Sequence, residues 1–193
     1  MKKKFWRYLP WFLLGICANA AHADAAAGAE KAKVCFTCHG PEGNSKNPAF
    51  PILAGQNFRY VYFQLRDFKE GRRTDPIMSP QAAKLSKQDQ QDLAEYFSRQ
   101  KPVSTGFRGD PAKVAKGKAR ADQILCQMCH LGEFIGQNEI PREAGQYREY
   151  VAKQLRAFRA GTRTNDAGNM TSVAKPLSDE DIDNLAEYIA DLY

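Results

Sequence analysis

The pentapeptide CFTCH at residues 35–39 returns as CQMCH at residues 126–130. The two copies use four of the five cysteines in this chain of 193 residues. Two thiols three residues apart lie about one helical turn from each other, so both can reach one edge of a flat macrocycle. The histidine that follows projects over the ring and can offer a nitrogen to a central metal. This spacing is the attachment signature of c-type haem, so we predict two haem c groups and two irons.

Cys-x-x-Cys pairs also occur in thioredoxin-like redox sites and in zinc sites. A thioredoxin-like site expects a βαβ setting, and the sequence contains no run of alternating β-branched residues that would supply one. A four-cysteine zinc site expects its second pair within about 20 residues, whereas the second copy starts 91 positions after the first. A histidine directly after each pair further favours haem.

The motif is part of a longer internal repeat. LAGQNFRYVYFQLRDFKEGRRT at 53–74 aligns with EAGQYREYVAKQLRAFRAGTRT at 143–164. LSKQDQQDLAEYF at 85–97 likewise aligns with LSDEDIDNLAEYI at 177–189. Repeats of this kind indicate two homologous domains, each with its own copy of the cysteine motif.

We place the first domain at 24–101, a linker at 102–109 and the second domain at 110–193. The linker has the proline, glycine and serine content of a connecting segment. Each domain has about 80 residues, a size at which the hydrophobic core alone gives marginal stability. A large bound apolar group would therefore complete each core.

The fold class is predicted to be all-α. Apolar residues recur at helical intervals in 57–70 and 147–160, and Gly71 and Gly161 end those helices. Helices should also run from Asp24 and Asp110 into each cysteine motif. The last helix of each domain should begin at a capping box. The residues of the two boxes are Ser86 with Asp89, and Ser178 with Asp181.

The second axial ligand of each iron should be a methionine. Met78 follows His39 by 39 residues and Met170 follows His130 by 40, in matching polar segments that we expect to be loops. Met128 lies inside the second motif, too close to its own histidine to reach the opposite face of the ring. A methionine is more often a core residue, but the matched placement favours His/Met ligation, which is typical of c-type electron carriers.

Residues 1–23 have the layout of a secretory signal peptide. A basic start precedes a short apolar stretch at 9–20, and AHA at 21–23 suits signal peptidase, with cleavage before Asp24. The alternative is a retained membrane anchor, for which the stretch is short. Four basic residues leave with the leader, so 24 basic against 22 acidic side chains remain. That balance does not suggest a nucleic-acid partner.

With its two motifs and two spaced methionines, the chain resembles the dihaem cytochrome c4 family, in which two class I cytochrome c domains stand in tandem in the periplasm. The resemblance covers essentially the whole mature chain. It implies an electron carrier and not an enzyme. It also implies a quinol-oxidising cytochrome complex as donor and a membrane-bound terminal oxidase as acceptor, with possible peripheral membrane association.

The resemblance also assigns roles to residues around each histidine. Pro51 in PILAG and Pro141 in PREAG should accept a hydrogen bond from the other ring nitrogen of the axial histidine. Leu53 becomes Glu143 in the second domain, which suggests a wetter second pocket or a displaced loop. Arg73 and Arg163, in GRRT and GTRT, are further candidates to meet the haem propionates. Gly28 and Gly117 should allow the first helix of each domain to approach the last.

Two other functions fit the same motifs. The chain could be the dihaem subunit of a flavoprotein dehydrogenase of the sulfide-oxidising type, or a dihaem peroxidase. A peroxidase needs an iron that opens to peroxide, and ordinarily a longer chain. The domains also differ in charge, +3 for 24–101 and −1 for 102–193, which suggests different partners at each domain.

Overall fold

A computed structural model describes residues 22–193, and all its regular secondary structure is helical. The expected leader, residues 1–23, lies outside the described residues except for its last two. The first half contains α1 (Ala25–Ala32), α2 (Phe36–His39), α3 (Phe58–Lys69), α4 (Met78–Ala83) and α5 (Lys87–Ser98). The second contains α6 (Pro111–Gln123), α7 (Cys126–His130), α8 (Arg148–Arg159), α9 (Asn169–Ala174) and α10 (Asp179–Asp191). The prediction of an all-α fold is confirmed.

The ends of these helices follow from the local sequence. Asp24 caps α1 by accepting from the Ala26 amide, and Asp110 caps α6, with Pro111 in its first turn. Both predicted capping boxes form, at the starts of α5 and α10. Gly71 and Gly161 lie just after the C-terminal ends of α3 and α8 and have φ values of 75° and 68°. Glycine adopts that left-handed conformation without steric cost.

The first and last helices of each half cross at a glycine. A Cβ atom on Gly28 would lie 2.1 Å from the carbonyl oxygen of Asp92, and one on Gly117 would lie 2.0 Å from that of Asn184. The next obstacle in each case is a tyrosine Cβ, of Tyr96 or Tyr188, at 2.8 Å. The absence of a side chain therefore sets the distance between the helices, as the resemblance to the family implied.

The two halves pack their cores differently. In the second half, buried side chains of α8 and α10 meet Phe134 in one continuous cluster. In the first half the fully buried cluster is smaller, with Leu93 and Phe97 at its centre. Leu53 and Leu65 pack against this cluster, and they line a cavity beside α2 together with Leu93 and Phe97.

Residues 101–110 contain no helix and connect the halves. The hydroxyl of Tyr193 donates to the carbonyl of Pro102 at 2.7 Å, so the connection is held against the C-terminus of the second half. The exact domain boundaries remain a prediction. Within residues 22–193, no helix combines the length and the apolar character needed to span a bilayer.

Candidate haem sites

The first cysteine motif forms one wall of a cavity of about 540 Å³. Cys35, Cys38 and His39, on and next to α2, line it together with Met78 of α4. Most of the exposed cavity surface is apolar, with leucine and phenylalanine side chains from α3 and α5. The four residues that the sequence assigned to the first haem therefore converge on one apolar space.

His39 has the arrangement required of an axial ligand. Its side chain is buried, and its Nδ1 lies 2.8 Å from the carbonyl oxygen of Pro51, to which it donates. Its Nε2 is also buried and has no hydrogen-bond partner. Burial lowers the pKa of His39, although the Pro51 contact opposes the shift, so the ring is neutral and Nε2 carries a lone pair. A buried polar atom is normally paired, so this one fits a metal bond.

The second motif places its histidine in the same way. His130, at the end of α7, is buried, and its Nδ1 lies 3.1 Å from the carbonyl oxygen of Pro141. Burial lowers its pKa as well, so this ring is neutral too. Cys126 packs against the second core, whereas Cys129 is exposed. Each half thus presents one neutral imidazole, fixed through Nδ1 by a proline carbonyl.

Both candidate methionines lie in the first turn of a short helix and not in a loop as the sequence suggested. Met78 is the first residue of α4, and its amide donates to the Asp75 carboxylate at 3.0 Å. Met170 is the second residue of α9, where Asp166 accepts from the Thr171 amide at 2.6 Å. An aspartate three or four residues before each methionine thus accepts a main-chain amide of the first turn, a signal that sequence reasoning overlooked.

Arg73 and Arg163, which the sequence could not separate from ordinary solvated arginines, are only 9% and 8% exposed. They lie between the halves. Arg73 donates to the Tyr150 hydroxyl at 3.0 Å and to Gln154 at 2.9 Å, and Arg163 donates to the Tyr60 hydroxyl at 3.2 Å. All the acceptors that hold them are neutral. Buried guanidinium groups held only by neutral acceptors suit an anion beside the cavity.

Glu143 does not displace its loop. Its amide donates to the Phe134 carbonyl at 2.9 Å, just as the amide of its counterpart Leu53 donates to Gly43 at 2.8 Å. Glu143 lines the cavity of the first half, where the charges of Arg73 and Arg163 act on its carboxyl. Burial raises the pKa of Glu143 to about 7, although Arg163, Arg73 and Arg142 oppose the shift. The alternative of a displaced loop is therefore wrong.

Replacing Glu143 with glutamine should change how stability depends on pH. A folded pKa near 7 lies above the usual 4.5, so the folded protein holds this proton more tightly than the unfolded chain. That contribution is complete below pH 4.5 and is lost as pH rises through 7. Between pH 4.5 and 7, we expect the free energy of unfolding of the wild type to fall by roughly 2 kcal/mol relative to that of Glu143→Gln. Urea unfolding at several pH values would measure it.

The control is Glu139→Gln, since Glu139 is exposed and pairs only with exposed Arg59. This variant should follow the wild type in parallel at every pH. A difference between wild type and Glu143→Gln that stays constant from pH 4 to 8 would contradict the assignment.

The family model described as cytochrome c matches the chain twice, over residues 25–101 and 114–192. Cytochrome c4 of Pseudomonas aeruginosa is 46% identical over 186 residues, covering 90% of this chain and 92% of that protein. The crystal structure of reduced recombinant cytochrome c4 from Pseudomonas stutzeri superimposes with a TM-score of 0.83 at 40% identity, covering 89% of this chain and 100% of that one. A thiosulfate dehydrogenase electron acceptor of Stutzerimonas stutzeri is 33% identical over 205 residues, covering 94% of each chain.

The fold and the two sites define a tandem c-type cytochrome, with one haem c for each cytochrome c domain. The similarity to cytochromes c4 extends over about nine tenths of the chain and identifies the family within this class. The chain belongs to the cytochrome c4 family of dihaem electron carriers.

Proposed function

We propose that this protein carries single electrons in the periplasm and that eight residues hold its two haems. Cys35 and Cys38 form the thioether links of the first haem, with His39 and Met78 as axial ligands. Cys126, Cys129, His130 and Met170 do the same for the second. The observation that carries this assignment is the partnerless, buried Nε2 of His39, in a cavity that Cys35, Cys38 and Met78 also line.

The bound haem supplies a one-electron iron couple, and the protein sets its properties. The Pro51 and Pro141 carbonyls fix the ring orientation of His39 and His130 and increase their donor strength. Methionine sulfur favours the ferrous state and raises the potential. Met78 and Met170 would occupy the ligand position opposite each histidine and leave none for oxygen or peroxide, which supports electron transfer over peroxidase chemistry.

The proposed donor is a quinol-oxidising cytochrome complex and the proposed acceptor a terminal oxidase, with each domain facing one partner. Acidic residues at the start of α10 contribute little free charge, because they pair within their own half. The pairs are Asp179 with Arg159, Glu180 with Lys116, Asp181 with Arg120 and Asp183 with Arg156. Both halves carry 12 basic side chains, so their difference in net charge comes from 13 acidic side chains in the second half against 9 in the first.

The assignment is tested on protein secreted with its leader. Its intact mass should exceed that of residues 24–193 by two haems, and an optical redox titration should show two low-spin centres. The reduced protein should then be reoxidised by membrane vesicles that contain a terminal oxidase, and not by oxygen alone. A mass equal to the bare polypeptide, or direct reoxidation by oxygen at the same rate, would refute the proposal.

A second candidate is an acceptor for a periplasmic dehydrogenase. It is favoured by the likeness to the thiosulfate dehydrogenase electron acceptor of Stutzerimonas stutzeri over almost the whole chain. The sequence also allows a related alternative, in which this chain is the dihaem subunit of a flavoprotein dehydrogenase of the sulfide-oxidising type. Faster reduction by a sulfur-compound dehydrogenase than by a quinol-oxidising complex would decide for this function.

A further inference from the structure

We propose that Gln56 and Gln146 are positioning residues, and that each tunes the axial histidine of the opposite half through one peptide group. The inference rests on the proposed ligand roles of His39 and His130. It gives the contact between the halves a part in setting the two haem potentials.

The first of these contacts runs from the second half into the first. Gln146 is 4% exposed, and its Oε1 accepts from the Ile52 amide at 2.9 Å while its Nε2 donates to the Ile52 carbonyl at 3.0 Å. The same Oε1 accepts from the Tyr147 amide at 3.1 Å. Only the oxygen of the carboxamide can accept from two amides, so its orientation is settled.

The peptide group that Gln146 contacts also holds the first axial ligand. The Ile52 nitrogen and the Pro51 carbonyl belong to the same peptide unit. Its oxygen accepts from His39 at 2.8 Å, and its N–H donates to Gln146. The side chain of Gln146 is thus two hydrogen bonds and one peptide away from the ligand of the other half.

The second contact runs from the first half into the second and is equivalent to the first. It is made by Gln56, which lies 90 positions before Gln146. Gln56, which is 5% exposed, accepts from the Arg142 amide at 2.8 Å and donates to the Arg142 carbonyl at 2.8 Å. The Arg142 nitrogen shares its peptide with the Pro141 carbonyl, which accepts from His130 at 3.1 Å. Each half therefore contributes an equivalent glutamine that hydrogen-bonds to the main chain of the other half.

Hydrogen bonds in such a chain polarise one another. When a peptide N–H donates, electron density moves towards the carbonyl oxygen, which then accepts more strongly. A stronger acceptor on Nδ1 makes the imidazole a better donor to iron through Nε2. Better donation stabilises the ferric state, so each glutamine lowers the potential of the haem in the opposite half. A purely structural role would predict a change in stability without this crossed effect.

The test replaces each glutamine with methionine, which has a similar volume but neither donor nor acceptor. In Gln146→Met the reduction equilibrium of the first haem should shift about threefold towards the ferrous state, or roughly 28 mV at about 59 mV per tenfold. The second haem should move much less. Gln56→Met should show the opposite pattern. Shifts of the ring ¹⁵N resonances of His39 and His130 should follow the same crossed pattern.

The matched control is Tyr147→Phe, which removes another hydrogen bond between the halves, from the Tyr147 hydroxyl to the Ser45 carbonyl at 2.7 Å. It should lower stability without moving the His39 resonance. If Gln146→Met does not fold, Gln146→Asn is used, since its carboxamide is one methylene too short to reach Ile52. The potentials and the methyl signals of Met78 and Met170 are followed in each variant.

The inference is overturned if Gln146→Met leaves both the His39 resonance and the first potential unchanged, or if both haems move equally. Such a result would leave the proposed function intact, because the far-red methionine-to-iron bands and the haem mass would still be present. Loss of those bands in the wild-type protein would instead refute the ligand assignment itself.

Discussion

Replacing Gly117 with alanine is expected to lower the stability of the second half by about 3 kcal/mol or more. The new methyl group would lie 2.0 Å from the Asn184 carbonyl oxygen and 2.8 Å from the Tyr188 Cβ. Both obstacles belong to or adjoin the backbone of α10, so no side-chain rotation relieves the clash. Helices α6 and α10 would have to separate and open the core around Ile182 and Leu185. Thermal unfolding of the holoprotein, followed by circular dichroism, would measure the loss.

The control is Gly132→Ala, because a Cβ atom at Gly132 meets nothing within 4 Å. Its effect should stay within about 0.5 kcal/mol, the usual range for a surface change. Gly28→Ala should repeat the loss in the first half, where the Asp92 carbonyl lies 2.1 Å from the added atom. Equal stability of Gly117→Ala and Gly132→Ala would contradict the idea that the glycine sets the helix distance.

The sequence was sufficient for features that depend on local chemistry or on the repeat. Asp110 and the serines of the capping boxes mark helix starts because their side chains bond to amides two or three residues later. The role of Gly28 and Gly117 at a helix crossing was implied by the resemblance to the family, and the two glycines occupy equivalent places in the repeat. The pairing of each histidine with a proline carbonyl was implied by the resemblance to the family, and both hydrogen bonds are present in the structure.

The relation between the halves could not be read from the sequence. The repeat shows that Gln56 and Gln146 are equivalent, but not that each reaches the main chain of the other half. Arg73 and Arg163 have the same limitation, because burial between domains depends on how two surfaces meet. Glu143 is the clearest case. The alignment makes Glu143 the counterpart of Leu53, which led us to expect it in the pocket of its own half. In the structure it instead lines the cavity of the first half.

This arrangement has a consequence for electron transfer. The cavity of the first half is lined partly by α8 of the second, through Tyr150 and Gln154. A change in the contact between the halves would therefore alter the surroundings of the haem that we propose for this cavity. The two proposed haem sites should also differ, because Glu143 lines the cavity of the first half and its counterpart Leu53 is not acidic.

Replacing Met78 with alanine should lower the potential of the first haem by on the order of 0.1 V, within the range of about 0.8 V that axial ligands set. Loss of the thioether removes the ligand that favours the ferrous state and opens one coordination position. We expect half of the far-red methionine-to-iron absorbance to disappear and carbon monoxide to bind one ferrous centre. Optical redox titration and carbon monoxide difference spectra would measure both effects.

The matched control is Met128→Ala, because Met128 is 71% exposed within the second cysteine motif and should bind no iron. This variant should keep both far-red bands and both potentials, whereas Met170→Ala should reproduce the Met78→Ala effect at the second haem. The contrast separates ligation from a general loss of methionine, since all three changes remove one sulfur. Full far-red absorbance in Met78→Ala would show that another group binds the first iron. The assignment of Met78 as its ligand would then be wrong.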